Sequence, residues 1–163
     1  MGTKWLFSRQ LPEANVKIEI REAPFDPLDE LREYQDSIAS LGGQYGATAS
    51  FVGSMRDSNE GKAVTAMTLE HYSGMTERHI ERIVESAVQR WRLLDALVLH
   101  RIGQLRPNDT IVLVAVWTAH RAEAFKACCH IMEDLKSQAP FWKRETRSDE
   151  EHWVERNTPG GHS

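Results

Sequence analysis

Four cations stand close together near the end of this chain: Lys136, Lys143, Arg144 and Arg147, interleaved with Phe141 and Trp142 and countered nearby only by Glu145. If the segment is extended, alternation puts Phe141, Lys143 and Glu145 on one face and Trp142 and Arg144 on the other. Crowding by aromatic rings and other cations would favour a lysine that gives up its proton, which suits a proton carrier or a nucleophile. A solvated charged strand with aromatic packing gives the same pattern, and Lys136 also fits a helix C-terminus, where a cation is favoured anyway.

A second group is Thr118-Ala119-His120-Arg121, where an apolar strand ends and a helix begins. The first helical turn presents unpaired N–H groups and a partial positive charge. Basic residues are disfavoured there by a few tenths of a kcal/mol, up to ~1, yet His120 and Arg121 occupy it. A bound anion would reverse the sign, because N–H groups and cationic side chains would converge on it. The alternative is that Arg121 pairs with a carboxylate or extends into water. Arg56 opens a polar loop after a strand, a common place for functional groups, although a lone loop arginine is usually just solvated.

Other chemistries find little support. His71, His79, His100, His120, His130 and His152 show no metal-ligand spacing, and Cys128-Cys129 lacks zinc-type partners, so no metal is expected. The cysteines read as packing residues on an apolar helical face. Neither a glycine-rich phosphate loop nor a nucleophile elbow is present.

These residues need a scaffold, and the periodicities supply one. Val16, Ile18 and Ile20 alternate with charged residues as a half-buried strand does. Asp26-Pro27 reads as an N-cap and first helical residue, with Leu28, Leu31 and Tyr34 on one face. Residues 46–55 form a strand of small side chains, residues 56–62 a loop with Asn59 and Gly61 as turn residues, and residues 64–72 another strand. Ile80, Ile83, Val84, Ala87, Val88 and Trp91 follow the three-four spacing of a helix. Residues 96–102 are a strand, and Arg106-Pro107-Asn108-Asp109 is a turn. Ile111 to Trp117 is so apolar that it belongs in the middle of a sheet. A helix from His120 to Lys136, with Phe125, Cys128, Met132 and Leu135 on one side, stops at Ala139-Pro140. Strands joined by tight turns favour an α+β fold with a largely antiparallel sheet.

The chain has 163 residues, 40% hydrophobic and 27% charged, enough for one domain with a proper core. Its net charge of −4 argues against nucleic acid or an anionic membrane as partner, so an anion site must come from local clustering. Two adjacent cysteines make no disulfide framework, and a reducing cytoplasm is the expected location. No apolar stretch approaches a membrane span.

Several segments together resemble the large, catalytic subunit family of molybdopterin synthase. They are Phe51-Val52-Gly53-Ser54-Met55-Arg56, Leu69-Glu70-His71-Tyr72-Ser73-Gly74-Met75-Thr76-Glu77, His100-Arg101-Ile102-Gly103 and Ala119-His120-Arg121 with Phe125 one turn on. Lys136, then Ala139-Pro140-Phe141-Trp142-Lys143-Arg144-Glu145 and Trp153-Val154-Glu155 complete the set. The resemblance implies an α+β fold of the hammerhead type, with a mostly antiparallel sheet, two main packed helices and a small β subdomain. Residues 1–45 would be an N-terminal strand and helix of the same domain, 46–155 the catalytic domain and 156–163 a flexible tail. It implies a homodimer in which each copy binds a small ubiquitin-like sulfur-carrier subunit, giving a heterotetramer. The carrier's C-terminal Gly-Gly thiocarboxylate would pass sulfur to cyclic pyranopterin monophosphate, forming the molybdopterin dithiolene, with no cofactor in the enzyme. Lys136 and Lys143 match the family's catalytic lysines; Arg56, His120 and Arg121 match its substrate-binding groups, and Glu145 matches a group that orients Lys143. The competing reading is a non-catalytic module that binds a ubiquitin-like partner or a phosphorylated metabolite.

Overall fold

The computed structural model describes residues 14–147 and 150–154. The expected flexible tail at 156–163, Glu155 of the Trp153-Val154-Glu155 segment and the residues before 14 lie outside that range.

Four strands make the main sheet, in the order β1 (Asn15–Arg21), β6 (Asp95–Arg101), β8 (Thr110–Thr118), β2 (Ala47–Ser54). β1 lies parallel to β6, whereas β8 is antiparallel to both its neighbours. The apolar run of β8 has a simple cause: both of its faces are covered. Val112, Val114 and Val116 face α2 (Met75–Trp91) and α3 (Arg121–Gln138), packing on Ile80, Val84, Ala127 and Ile131. Leu113, Ala115 and Trp117 face the other way, onto Tyr34 and Ile38 at the end of α1 (Pro27–Ser37). Asp26 caps α1 as its sequence suggests, accepting from the N–H groups of Leu28 and Asp29 at 2.8 and 3.1 Å. The shared core places β1 and α1 against the same sheet as the rest of the chain.

A second sheet, wholly antiparallel, has the order β10 (Glu150–Val154), β9 (Phe141–Arg147), β5 (Ala66–His71), β7 (Gly103–Leu105). Its Met67, Leu69 and Leu105 form a small core with Met55 and Val64 from the adjoining loops. The fold is α+β with mainly antiparallel sheets. Among the described residues, no helix is long and apolar enough to cross a membrane.

Four expectations change. The 56–62 loop contains a hairpin, β3 (Ser58–Asn59) against β4 (Lys62–Ala63), whose turn is Glu60-Gly61 rather than Asn59 and Gly61. Both turn residues have positive φ, 51° and 75°, as a tight hairpin of matching twist requires. The 96–102 strand is followed by a separate strand, β7, because Gly103 at φ 80° turns the chain into the second sheet. Leu28 and Phe125, read as apolar-face residues, are 65% and 68% exposed. The buried stripe of α3 is carried instead by Ala124, Ala127, Cys128, Ile131 and Leu135.

Candidate active site

The C-terminal end of α3 and the start of β9 form a bend around Ala139-Pro140, and the bend brings two lysines to one cleft. Lys136 lies in the last turn of α3, where the helix dipole favours a cation. Lys143 comes back on β9, directly opposite Leu69 of β5, while Glu145 is opposite Met67. Side chains two apart on a strand share a face, so Phe141, Lys143 and Glu145 all point inward. Two hollows adjoin here. The first, about 240 Å³, is mostly apolar, with Phe51, Leu69, His100, Met132 and Phe141 in its wall. The second, about 150 Å³, is more polar and includes Arg56, Ser58, Asn59 and Glu145. Lys136 and Lys143 belong to both, so their side chains mark the junction.

Glu145 organises the polar half. It is 1% exposed, and all its acceptor capacity is used. Oε1 lies 2.7 Å from Lys143 Nζ and accepts from Asn59 Nδ2 at 2.9 Å. Oε2 accepts from Arg147 Nη2 and Nε at 2.7 and 3.0 Å. Burial pushes this carboxyl up, but the hydrogen bonds from Lys143 and Arg147 outweigh it and hold the group below the ordinary carboxylate range. Lys143 does share the cleft with Lys136, Arg56 and Phe141, but its nearest charge is this buried carboxylate. Trp142 and Arg144 lie on the opposite face, Trp142 edge-on to Tyr72 at 4.3 Å and Arg144 over Trp153 at 5.4 Å.

The apolar half has one buried polar wall residue, His100, which the sequence reading left among ordinary histidines. Its ring stacks on Phe141 with centroids 4.0 Å apart, and Nδ1 lies 2.8 Å from the Arg101 carbonyl. That contact fits a neutral ring donating from Nδ1, with Nε2 left as an acceptor. Burial pushes the imidazole down to about 4. Because the folded value lies below that of a free histidine, the unfolded chain takes up the proton first. The stability from a neutral His100 is complete above about pH 6.5 and declines as pH falls toward 4. The unmodified protein should lose stability between pH 7.5 and 5.5, and His100→Asn should flatten that interval, read from urea midpoints. Equal slopes in the two proteins exclude this linkage.

His120 and Arg121 are placed elsewhere. His120 is the N-cap residue of α3 and lines a third hollow, of about 430 Å³, with Arg90, Trp91, Arg92 and Glu123. Arg121 is exposed beside it. Arg121 opens an 18-residue helix and Lys136 lies in its last turn, so their Cα atoms are ~22 Å apart. The expectation that one chain gathers Arg121, His120, Lys136 and Lys143 around a single anion is thus corrected. The structure joins Arg56, Lys136, Lys143 and Glu145, and separates His120 and Arg121 from them. Asn59 and Arg147 were seen in the sequence as a turn residue and one of several cations, without their tie to Glu145.

Cys128 is buried, and burial pushes its thiol up to about 11, as befits a packing residue. Among the described residues, no group of three His, Cys, Asp or Glu side chains is arranged to hold a metal ion.

Comparison with known proteins gives one consistent answer. A family model described as "MoaE protein" matches residues 20–138. A molybdopterin synthase catalytic subunit from Ralstonia nicotianae is 51% identical over 138 residues, covering 85% of this chain and 76% of the relative. The solved MoaE protein from Burkholderia ambifaria superposes with a TM-score of 0.71 at 41% identity, covering 90% of this chain and 92% of that one. A solved molybdopterin synthase from Staphylococcus aureus also gives 0.71, at 27% identity over 86% of this chain and 96% of its own. This chain belongs to the MoaE family, the catalytic subunits of molybdopterin synthase in molybdenum cofactor biosynthesis.

Proposed function

We propose that this molybdopterin synthase catalytic subunit moves sulfur from the C-terminal thiocarboxylate of a small ubiquitin-like subunit to cyclic pyranopterin monophosphate, at the junction marked by Lys136 and Lys143. The observation that carries the reading is that junction. Two lysines on different elements share one cleft whose apolar half can take a flat ring and whose polar half can take an anion. A relative named as a catalytic subunit supports the existence of a partner subunit. The high thiol value and burial of Cys128 agree with sulfur arriving from outside.

In the reaction, the thiocarboxylate sulfur bonds to a side-chain carbon of the pterin as that carbon's bond to the cyclic phosphate oxygen breaks, leaving a phosphate monoester. Water then attacks the acyl carbon, and the acyl–sulfur bond breaks. The carrier keeps a carboxylate, and the pterin keeps the sulfur. Negative charge grows on the acyl oxygen during that attack, and the Lys136 ammonium stabilises it. Lys143, held by Glu145, moves a proton at the pterin side chain as the cyclic phosphate opens. Arg56, in the polar half, binds the phosphate. In a second transfer the neighbouring side-chain carbon takes sulfur and loses its oxygen as water, which completes the dithiolene.

His120 and Arg121 take part if a second copy of the chain brings them. A two-fold homodimer could place the α3 N-terminus of one copy at the lysine cleft of the other. Both cysteines are free, which suits a reducing cytoplasm.

The test is reconstitution. The protein, a thiocarboxylated small subunit and the precursor are mixed, and the dithiolene is measured in a single turnover. Product formed in proportion to thiocarboxylate consumed is expected. Tight binding of both without product would instead make the chain a non-catalytic module.

A further inference from the structure

We infer that Arg147 is a positioning residue for the reaction, acting through the buried Glu145 carboxylate to fix where the Lys143 ammonium sits and how firmly it holds its proton. The inference rests on the reading of Lys143 as the group that moves a proton.

Lys143, Glu145 and Arg147 alternate along β9 on one face. The two cations approach the same carboxylate from opposite oxygens, Lys143 at Oε1 (2.7 Å) and Arg147 at Oε2 (2.7 and 3.0 Å). Asn59, delivered by the β3–β4 hairpin, donates to Oε1 and fixes the plane of the carboxylate. One negative charge is thereby shared between two positive ones at a site almost closed to water. A guanidinium does not deprotonate in proteins, so Arg147 keeps a constant share of the charge. Asn59 donates at every pH. Of the three donors, Lys143 is the one that can change its protonation state.

The other groups near this point are Lys136 from α3, Arg56 after β2 and His100 on β6, with His152 and Glu150 of β10 opposite Glu145 and Arg147 in the strand register. Both Lys136 and Arg56 add positive charge, and His100 is neutral near pH 7. Glu145 is the carboxylate among the residues lining the two hollows, and Arg147 determines how much of it is left for Lys143. Without Arg147, the full carboxylate charge falls on Lys143. Its ammonium is then bound more tightly, and its proton leaves at higher pH.

The test follows the Lys143 side chain by NMR in protein carrying isotope-labelled lysine, with the signal assigned from Lys143→Arg. Arg147→Met is expected to raise the Lys143 titration midpoint by about one pH unit, and the limb of the kcat–pH profile that belongs to Lys143 should move with it. Arg147→Lys, which restores a cation, should largely reverse both shifts. In a Glu145→Gln background, Arg147→Met should move the midpoint no further. Thermal unfolding of each variant shows whether the fold is kept. An unmoved midpoint in folded Arg147→Met overturns the inference, as does an equal shift in the Glu145→Gln background. A moved midpoint with an unmoved kcat profile leaves the positioning intact and removes Lys143 as the proton carrier.

Discussion

Replacing Lys136 or Lys143 by alanine should reduce single-turnover formation of the dithiolene by about 100- to 1,000-fold each, while the protein remains folded. The magnitude is that of removing one charged or hydrogen-bonding group that meets developing charge in a site shielded from water. Retention of the fold has separate grounds for each lysine. Lys136 is exposed on the last turn of α3, and the core beneath that turn is made by Ile131 and Leu135. Removing Lys143 takes one donor from Glu145 but leaves Arg147 and Asn59 on its two oxygens, so the buried carboxylate keeps compensating partners. The two losses should not multiply in the double variant if the lysines act on one transition state. The experiment uses thiocarboxylated partner and precursor in excess over the enzyme variant, with thermal unfolding as control. If both single variants make product at rates within about fivefold of the unmodified protein, a gap too small for a lost charge-stabilising group, the lysine mechanism is wrong.

How much of this could be read without coordinates depends on which physical signal each residue carries. The β8 strand was legible because a strand covered on both faces has no room for polar residues, and Ile111 to Trp117 has none. Asp26-Pro27 was legible because capping is local chemistry. The sharing of a face by Lys143 and Glu145 followed from strand alternation alone. By contrast, β7 was hidden because it is three residues long and its start depends on the positive φ of Gly103. Phe125 was misplaced because helical spacing identifies a stripe without saying whether anything covers it. The clamp on Glu145 was out of reach for another reason. It joins Asn59 to a residue 86 positions later, across a hairpin and a strand pairing that no local pattern specifies. The sequence placed His120 and Arg121 correctly at the start of a helix. It could not show that the helix itself separates them from the lysines.

That separation makes the second large prediction. Lys136→Ala and Arg121→Ala proteins, each nearly inactive at low precursor concentration, should recover activity when their subunits are mixed and allowed to exchange. Loss of a charge-assisted contact to phosphate is worth about 1.5–3 kcal/mol, roughly 10- to 150-fold in binding. Arg121→Ala should therefore be strongly impaired when precursor is scarce. If each active site takes its lysines from one copy and Arg121 from the other, a mixed dimer contains one site with both defects and one with neither. Half of randomly exchanged dimers are mixed, so about a quarter of the original activity should return. If every site were built from a single chain, each site in the mixture would still hold one defect and no recovery could occur. The ~22 Å spanned by α3 between Arg121 and Lys136 already tells against that arrangement for one phosphate group. Verified subunit exchange without recovered activity would leave Arg56, Lys136 and Lys143 as the whole anion site. It would also confine the basic hollow around His120, Arg90 and Arg92 to some other purpose.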